Sequence, residues 1–338
     1  MSLNAYKGLK TFGRLFLSKF YHKKFLLSVS FIVTNRCNSR CSYCNSYNIP
    51  SEEMSTSEIF SMIDEFATIG VRRIGFTGGE PLLKEDIGNI ISYAHKKEIT
   101  TTLFSNGTLV SSKINELKYL DLLLLSLDGP PEIHDSIRGV RGSFNHVLAA
   151  IEAAREVRLP VWINTVMTKN NISQLHYLVD LAREKQVRLM FMPVFNHTLS
   201  ADKNTIDELS ADEGGFKKAI NKLIISKKRG APIVNSITYF EYVMENWPNF
   251  NRIQCRAGVN FCAVDPKGLI YPCHFFVGTD CGMDGRQIGF ANAFERIKTP
   301  KCKGCFCNAY VELNLLIAGH LDVILNTAKN IEQRKRYN

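Results

Sequence analysis

The sequence has no apolar run long enough to cross a bilayer. Its longest runs, such as Leu122 to Leu125 and Leu313 to Ala318, fall far short of the roughly 20 residues that a transmembrane helix needs. A fixed-period repeat, a low-complexity tract and a signal peptide are also missing. These absences argue against an integral membrane protein, a repeat array and a secreted disulfide scaffold. Metal ligation is therefore the better explanation of the ten cysteines.

No acidic residue precedes Glu52 in the sequence. Eight basic residues precede it: Lys7, Lys10, Arg14, Lys19, Lys23, Lys24, Arg36 and Arg40. The whole chain has 42 basic and 32 acidic residues, so most of its net charge of +10 belongs to this segment. A charge confined in this way argues against a nucleic-acid-binding surface spread over the protein.

The basic segment predicts an amphipathic helix within residues 1–27. On a helical wheel Leu9, Phe12, Phe16 and Phe20 share one face, and basic side chains lie on the opposite face. Three roles stay open: attachment to an anionic membrane surface, at up to about 1 kcal/mol for each basic residue, cover for the rest of the fold, or docking of an acidic electron donor. The expected location is the cytoplasm, with peripheral membrane contact under the first role.

Strand-like and helix-like segments alternate from residue 28 onward. The strand-like runs are Ser28 to Thr34, Arg73 to Thr77, Thr100 to Ser105, Leu120 to Leu127, Val161 to Thr168 and Leu189 to Phe195. Between them apolar residues recur at helical spacing, in windows over residues 59–66, 87–97, 144–157 and 172–185. Six strand–helix units in series predict a parallel sheet, because parallel neighbours need crossover helices.

The later part of the chain has a different composition. After a predicted loop, helices are expected near residues 215–228 and 234–247 and a closing helix over 310–330. From Cys255 to Cys307 there are seven cysteines and little periodicity, which is typical of a small module organised by metal rather than by an apolar core. The predicted domains after the N-terminal helix are 28–195, a helical linker 196–250, a cysteine-rich module 251–312, and a C-terminal helix and tail 313–338.

The strongest chemical motif is Cys37-Asn-Ser-Arg-Cys41-Ser-Tyr-Cys44, in the loop directly after the first predicted strand. Three thiolates at this spacing can bind three irons of a cubane iron–sulfur cluster and leave the fourth iron open to a small molecule. The alternative is a structural zinc site, which needs a fourth Cys or His nearby. None stands between Phe31 and Tyr93, so the spacing favours the iron–sulfur cluster.

This loop, with Tyr43 before its third cysteine, resembles the signature of radical S-adenosylmethionine (SAM) enzymes. Other motifs of that family follow in order, each at the end of a predicted strand: Thr77-Gly78-Gly79-Glu80-Pro81, Ser105-Asn106-Gly107-Thr108 and Ser126-Leu127-Asp128-Gly129. The resemblance implies an α/β fold, a partial (β/α)6 TIM-type barrel with a small C-terminal iron–sulfur domain, whose active site lies at the carboxyl ends of the strands. It further implies that Cys37, Cys41 and Cys44 bind the SAM-binding 4Fe-4S cluster.

The same resemblance implies which other residues contact SAM. The backbone of the Gly78-Gly79-Glu80-Pro81 motif would hold the amino group of the methionine moiety, and glycines without a Cβ would let the ligand approach closely. Arg141 is the alternative to Arg138, and a structural role is the alternative for Asn164. The predicted SAM site consists of Tyr43, Gly78, Gly79, Glu80, Pro81, Ser105, Asn106, Ser126, Asp128, Arg138 and Asn164.

The C-terminal cysteines resemble the opening of the domains called SPASM and, in a shorter form, twitch. Cys255 is followed by Gly268 and Cys273 at the spacing of those domains, and Cys302-Lys-Gly-Cys305 comes later. By this resemblance Cys255, Cys273, Cys302 and Cys305 would bind one auxiliary 4Fe-4S cluster. A zinc knuckle built from the same four thiols is the alternative.

The remaining cysteines leave the number of auxiliary clusters open. Apart from Cys307, the chain lacks the later cysteines of the full SPASM pattern, so one auxiliary cluster is expected. Two clusters would also need Cys262 and Cys307 as ligands. For Cys281 the simplest expectation is a small buried side chain.

The resemblance implies a reaction but not a substrate. An electron from the reduced cluster would cleave SAM, and the 5′-deoxyadenosyl radical would take a hydrogen atom from an unactivated C–H bond. The electron would come from a flavodoxin or ferredoxin, and the auxiliary cluster would accept an electron from the substrate or bind it.

The expected substrate is a membrane-associated lipid or an anionic small molecule. A peptide substrate is the alternative, weakened because the 27 residues before the first strand are too few for a leader-peptide-binding domain. An alternative of another class is a non-catalytic iron–sulfur or zinc-binding protein.

Overall fold

The computed structural model describes residues 24–249, 253–299 and 301–335. Most of the predicted N-terminal amphipathic helix lies outside these residues. Its last part, residues 24–27, is described and is not helical. There Phe25 donates its N–H to the Val259 carbonyl oxygen and Leu27 donates to that of Asn260, both at 2.8 Å. The chain therefore enters the sheet alongside its C-terminal region.

In the described part of the chain one nine-stranded sheet has the order β6-β5-β4-β3-β2-β1-β7-β8-β9. Its strands are β1 (Ser28–Thr34), β2 (Arg73–Gly78), β3 (Thr100–Ser105), β4 (Leu122–Ser126), β5 (Val161–Met167), β6 (Arg188–Pro193), β7 (Phe261–Val264), β8 (Leu269–Tyr271) and β9 (Met283–Asp284). Strands β1 to β6 pair in parallel. The predicted fold class, a partial parallel barrel with helices between its strands, is confirmed.

Helices follow the strands as the apolar spacing predicts. They are α1 (Thr56–Ile69), α2 (Ile87–Lys96), α3 (Val110–Lys113), α4 (Pro131–Arg138), α5 (Ser143–Glu156), α6 (Leu175–Glu184), α7 (Lys203–Leu209), α8 (Glu213–Lys228), α9 (Ile237–Asn246), α10 (Gly285–Ile288), α11 (Phe290–Arg296), α12 (Asn308–Ala318) and α13 (Leu321–Lys335). A capping box begins α1, where Ser55 and Glu58 satisfy each other's backbone N–H groups. Helix α7 lies in the segment that the sequence predicts as a loop.

Alternation along the strands separates the two faces of the sheet. Phe31, Phe76, Leu103, Ile163 and Leu189 belong to one apolar core beneath the helices. Their immediate neighbours point to the opposite face, because successive strand residues alternate. That opposite face is the barrel interior, which the site described below opens into.

The cysteine-rich module continues the barrel's sheet. Strand β7 pairs in parallel with β1, and β8 and β9 extend the sheet as antiparallel neighbours. The module is therefore attached to the barrel by backbone hydrogen bonds, although its sequence shows little periodicity. The predicted limit between residues 312 and 313 falls inside α12, which begins at Asn308. The other domain limits stay predictions.

The expected single closing helix is wrong, because two helices occupy that segment. Gly319 ends α12 with a φ of +94°, a left-handed conformation that favours glycine. Among the described residues no single helix is long and apolar enough to cross a membrane. Helices α12 and α13 pass that test only together, and they are bent by 118° relative to each other.

Candidate active site

The loop after β1 places three cysteines around one cavity at the carboxyl ends of the parallel strands. Cys37, Cys41 and Cys44 all line this cavity, which has a volume of about 190 Å³. Burial, with a smaller contribution from the nearby Cys41 and Cys44 thiols, raises the pKa of Cys37 to about 11. The three predicted cluster ligands therefore face a common space.

Backbone hydrogen bonds fix this loop from two sides. On one side Arg40 donates its N–H to the carbonyl oxygen of Arg138, at the end of α4, at 2.9 Å. On the other side Asn45 donates its N–H to the carbonyl oxygen of Leu199 at 3.0 Å. Gly139 permits the first contact, since a Cβ there would lie 2.7 Å from the Arg40 carbonyl oxygen. Partners distant in sequence thus hold the cysteine loop in shape.

Each sulfur of the loop has a polar neighbour. The Ser39 N–H lies 3.4 Å from Cys37 Sγ, Arg138 Nη1 lies 3.6 Å from Cys41 Sγ, and Ser46 Oγ lies 3.5 Å from Cys44 Sγ. Burial raises the pKa of Cys41, whereas the Arg138 guanidinium opposes that rise. Because metal binding requires the thiolate form, Arg138 favours the protonation state that an iron cluster needs.

The paired glycines allow close approach of two protein segments. A Cβ on Gly78 would lie 2.2 Å from the Thr34 carbonyl oxygen, and one on Gly79 would lie 2.1 Å from that of Arg36. Gly79 and Glu80 donate their N–H groups to these same two oxygens, each at 2.8 Å. Close approach of a ligand is therefore not the whole reason for the two glycines. The backbone that carries the cysteine loop already excludes a side chain at both positions.

Glu80 is buried behind the cavity rather than lining it. Its carboxylate accepts hydrogen bonds from Ser105 Oγ at 3.0 Å, the Asn106 N–H at 2.7 Å and the Leu82 N–H at 3.1 Å. Burial raises the pKa of Glu80 to about 7, while these donors oppose the rise. Glu80 thus ties the glycine motif to the next motif along the chain, and Pro81 beside it is buried as well.

Arg138 reaches the cavity from a buried ion pair. Its Nη2 lies 2.7 Å from Asp128 Oδ2, with side chains only 8% and 0% exposed. The same carboxylate accepts a hydrogen bond from the Tyr43 hydroxyl at 3.4 Å, and the guanidinium stacks over the Tyr43 ring. Asp128 therefore positions Arg138 and Tyr43 without facing the cavity. Arg141, the alternative, is exposed and does not line the cavity.

The cavity brings together most, but not all, of the predicted site residues. Those that line it, besides the three cysteines, are Tyr43, Gly78, Gly79, Ser105, Asn106, Ser126, Arg138 and Asn164. Glu80, Pro81 and Asp128 do not line it, and their contact with SAM stays a prediction. The Glu80 carboxylate accepts hydrogen bonds from Ser105 and two backbone N–H groups, and the Asp128 carboxylate pairs with Arg138 and Tyr43.

Six further lining residues were not predicted: Ser39, Ser46, Tyr47, Thr77, Phe104 and Val166. Two signals could have found some of them. Ser39 stands inside the cysteine motif. Val166 follows from strand alternation, because it lies two residues after Asn164 on the same face of β5.

In the C-terminal module five thiols lie close enough to influence one another. They are Cys255, Cys273, Cys302, Cys305 and Cys307. Burial raises the pKa of Cys307 to about 11 and also raises the pKa values of Cys273 and Cys305. The four cysteines predicted for one auxiliary cluster thus gather with Cys307 as a fifth.

Cys262 and Cys281 lie apart from that group. Cys262 is fully buried in β7 on the helix-covered face of the sheet, and its charged neighbour is Lys24. Strand alternation turns Cys262 into the core, so its role as a ligand of a second auxiliary cluster stays a prediction. Cys281 lies 3.1 Å from Thr279 Oγ1 and packs beside Tyr271, within a small apolar cluster.

Neither cysteine group gathers its side chains around a single point. Within the ranges 24–249, 253–299 and 301–335, no three His, Cys, Asp or Glu side chains converge closely enough for one metal ion. A zinc ion needs such convergence, whereas a cubane binds each thiolate through a different iron. The donor set, three thiols with a neighbouring arginine and a cavity beside them, fits a four-iron cluster with one open iron.

Fold and site together define an enzyme that binds an iron–sulfur cluster and a small ligand at the mouth of a partial barrel. The description "Radical SAM superfamily" matches residues 31–182, which include the cysteine loop and strands β2 to β5. Residues 31–182 of this chain therefore form a radical SAM domain.

Known proteins resemble the chain over most of its length. It is 26% identical over 323 residues to an AdoMet-dependent heme synthase of Methanosarcina barkeri, covering 83% of this chain and 91% of that protein. It is 24% identical to a PqqA peptide cyclase of Bradyrhizobium diazoefficiens, covering 73% and 66%. The crystal structure of Streptococcus suis SuiB bound to S-adenosylmethionine shares the fold, with a TM-score of 0.65, 21% identity and coverage of 94% and 80%.

The cofactors of a radical SAM domain are a 4Fe-4S cluster and SAM, whereas the auxiliary 4Fe-4S cluster of the C-terminal module stays a prediction. Cys37, Cys41 and Cys44 would hold the first cluster, which supplies the electron that cleaves SAM to methionine and a 5′-deoxyadenosyl radical. The chain's own contribution is to bind and orient. Arg138 and Ser126 present a cation and a hydroxyl to the cavity.

Proposed function

We propose that this enzyme modifies an unactivated C–H bond of a carboxylated tetrapyrrole, held in the barrel interior between the cavity and the C-terminal cysteines. Two observations support the proposal. One is the heme synthase relative, which aligns along nearly its whole length. The other is the composition of the barrel interior, which is apolar along its wall and cationic at its far end. Such a substrate also meets the expectation of an anionic small molecule.

The interior wall suits a broad, apolar substrate. Strand alternation directs Phe104, Trp162, Met190 and Met192 to the same face of the sheet as the cavity residue Asn164. All four side chains are partly exposed rather than packed away. Aromatic and thioether groups offer large, polarizable contact surface, which a flat macrocycle can stack against.

Two arginines stand at the opposite end of the interior from the cavity, and they are the observation that carries the proposal. Arg73 begins β2 and Arg188 begins β6, both at positions that alternate into the interior. The Arg188 guanidinium lies over the Trp162 ring, 5.7 Å from its centre. Arg73 is exposed and forms no ion pair with any described residue. Guanidinium groups bind carboxylates in a bidentate manner, so this end suits the acidic side chains of a macrocycle.

The C-terminal module closes the interior on the side of β1. Ser30, on the interior face of β1, has its Oγ 3.4 Å from His274 Nδ1. His274 directly follows Cys273, one of the five gathered thiols, and its ring packs against Phe275. An auxiliary cluster at these thiols would adjoin the interior, in reach of an electron from the substrate.

Binding and turnover test the proposal separately. The reconstituted protein is titrated anaerobically with iron coproporphyrin III, a porphyrin with propionate side chains, and its visible absorption is followed. Dithionite and SAM are then added, and 5′-deoxyadenosine and the mass of the porphyrin are measured. We expect a saturable spectral change, release of 5′-deoxyadenosine and a porphyrin of altered mass.

A matched pair of variants tests where the propionate groups of the porphyrin bind. Arg73→Ala should weaken porphyrin binding about tenfold, the loss of one charged hydrogen-bonded contact, whereas Arg72→Ala should leave it unchanged. Equal binding by both variants would contradict the assignment of the arginine end. If a peptide or an anionic lipid increases deoxyadenosine formation while the porphyrin neither binds nor changes mass, the substrate class is wrong.

We propose a flavodoxin or ferredoxin as the electron donor. Two exposed cations lie at the cysteine loop: Arg36, directly before it and paired with Glu53 at 2.9 Å, and Arg40, within it and stacked on the Tyr47 ring. Small acidic donors dock on such surfaces through charge complementarity, which salt weakens. Exchanging Arg40 for Glu should slow reduction by either donor and leave reduction by dithionite unchanged, as stopped-flow absorption would show.

A further inference from the structure

We propose that Asn308 is a positioning residue for SAM, acting from the C-terminal module through Asn164 at the cavity wall. Asn308 is the first residue of α12 and directly follows Cys307. It is 5% exposed and does not line the cavity. Its side chain nevertheless reaches Asn164, which does line the cavity. A side-chain hydrogen bond therefore joins the cavity wall to the cysteine-rich module.

Local geometry fixes which end of the Asn308 amide faces the barrel. Its Oδ1 accepts the N–H of Ala309 at 2.7 Å, so the oxygen end is held at the start of α12. The Nδ2 end then donates to Asn164 Oδ1 at 3.2 Å. A reversed amide would set two donors against each other at Ala309. The orientation of Asn308 is thus decided before Asn164 is considered.

This orientation determines what Asn164 presents to the cavity. With its Oδ1 engaged by Asn308, Asn164 turns its Nδ2, a donor with two hydrogens, toward the cavity. Ser126 is its register partner on β4, and Arg138 lines the same cavity. The three side chains then form a wall able to donate to an anionic group, such as the carboxylate of the methionine moiety of SAM. Without Asn308 the Asn164 amide could rotate and offer its oxygen, which repels a carboxylate.

The contact also links SAM binding to the order of the C-terminal module. Asn308 stands next to Cys307 and at the start of a helix that packs against β6 and α9. If its contact strengthens SAM binding, bound SAM must stabilise the start of α12 by the same free energy, because coupling between two sites is reciprocal. A helix that never touches SAM should therefore respond to it.

A double-mutant cycle on the full-length, anaerobically reconstituted protein tests this role. SAM binding is measured by calorimetry without reductant for the wild type, Asn164→Ala, Asn308→Ala and the double variant. We expect Asn308→Ala to raise the Kd for SAM about tenfold, the usual size of one lost polar contact to a charged group. Because Asn308 acts through Asn164, the double variant should bind no more weakly than Asn164→Ala alone.

Controls separate positioning from general structural damage. Asn330→Ala removes another buried asparagine, on α13, whose Nδ2 bonds the Val234 carbonyl oxygen, and it should leave the Kd for SAM unchanged. SAM should slow hydrogen exchange at the start of α12 in the wild type but not in Asn308→Ala. Additive losses in the cycle, or a Kd unchanged in Asn308→Ala with iron content intact, would overturn the proposal.

A conservative variant covers the case in which Asn308→Ala fails to hold its iron. Asn308→Asp keeps an acceptor for the Ala309 N–H and suits a helix N-terminus, but it has no amide donor for Asn164. It should retain iron and still bind SAM about tenfold more weakly. If Asn308→Asp also loses iron, Asn308 is a structural residue of the module and the positioning role is rejected.

Discussion

The two cysteine groups of this protein are built in opposite ways. In the barrel, three thiols lie within one short loop, and backbone hydrogen bonds to the ends of α4 and of the segment after β6 hold that loop. In the C-terminal module, five thiols come from segments far apart in the chain, between Cys255 and Cys307. Hydrogen bonds within the protein hold the barrel loop in shape. The C-terminal thiols lie on separate segments, which we expect a bound metal to hold together.

The influences on the thiol pKa values also differ between the two cysteine groups. Arg138 opposes the burial that raises the pKa of Cys41. For Cys273 and Cys305 burial is the main influence, and neighbouring thiols raise the pKa further. Buried thiols without a compensating cation favour the protonated form until a metal binds. We therefore expect the barrel loop to keep its shape without a bound cluster and the C-terminal module to depend on bound metal for its order.

Removing the barrel thiols should have the most complete effect. Changing Cys37, Cys41 and Cys44 together to Ala should abolish formation of 5′-deoxyadenosine from SAM, since no group is left to hold the reducing cluster. Iron bound by the C-terminal thiols should remain. Chromatography of deoxyadenosine and iron and sulfide analysis check both results. A variant that loses all its iron would show that the two groups are not independent.

Removing thiols of the C-terminal module should reduce the structural order of that module without weakening SAM binding. Changing Cys255 and Cys273 to Ser should remove the auxiliary iron and accelerate hydrogen exchange across residues 255–307, while the cavity still binds SAM. Cys262→Ala is the matched control and should retain all iron, because that thiol lies in the sheet core. Slow exchange in the iron-free module would contradict the view that metal holds it together.

Substitution of Arg138 tests whether its buried ion pair stabilises the barrel site. Arg138→Ala leaves Asp128 as a buried, uncompensated carboxylate, which typically destabilises a protein by about 3–5 kcal/mol. SAM binding should weaken as well, because the cavity loses its cation. Denaturant unfolding and calorimetry measure the two effects. Arg141→Ala, three residues away and exposed, should change neither, and an equal loss in both variants would return Arg141 as the SAM ligand.

Glu80 should produce a smaller effect that depends on pH. Its pKa is about 7 in the fold against an ordinary value of 4.5, so folding favours the protonated form. The wild type therefore loses stability as pH rises from about 4.5 to about 7, and the loss is complete above the folded pKa. Glu80→Gln cannot titrate, so its stability relative to the wild type should rise by up to about 3 kcal/mol across that window. Urea unfolding at several pH values checks this, and parallel curves would show that Glu80 does not titrate there.

Sequence periodicity predicted the barrel well because its information is local. The strands β1 and β3 have the predicted bounds, since an apolar run bounded by turn residues marks a buried strand. The closing helix failed for a comparable local reason, because Gly319 breaks a pattern that is otherwise continuous. The pairing of β7 with β1 could not be predicted, since the register between distant segments leaves no periodic trace in a run of four residues.

The motifs themselves, with their order and spacing, determined the chemistry: three thiols in one loop, a glycine pair, and a second set of cysteines beyond the barrel. Only the tertiary structure decided the role of each side chain. It turned Glu80 and Asp128 away from the cavity, placed Cys262 in the core, and joined Asn308 to Asn164. The physical reason is that spacing along the chain fixes which atoms are available, whereas their direction depends on hydrogen bonds and packing with segments far away in sequence.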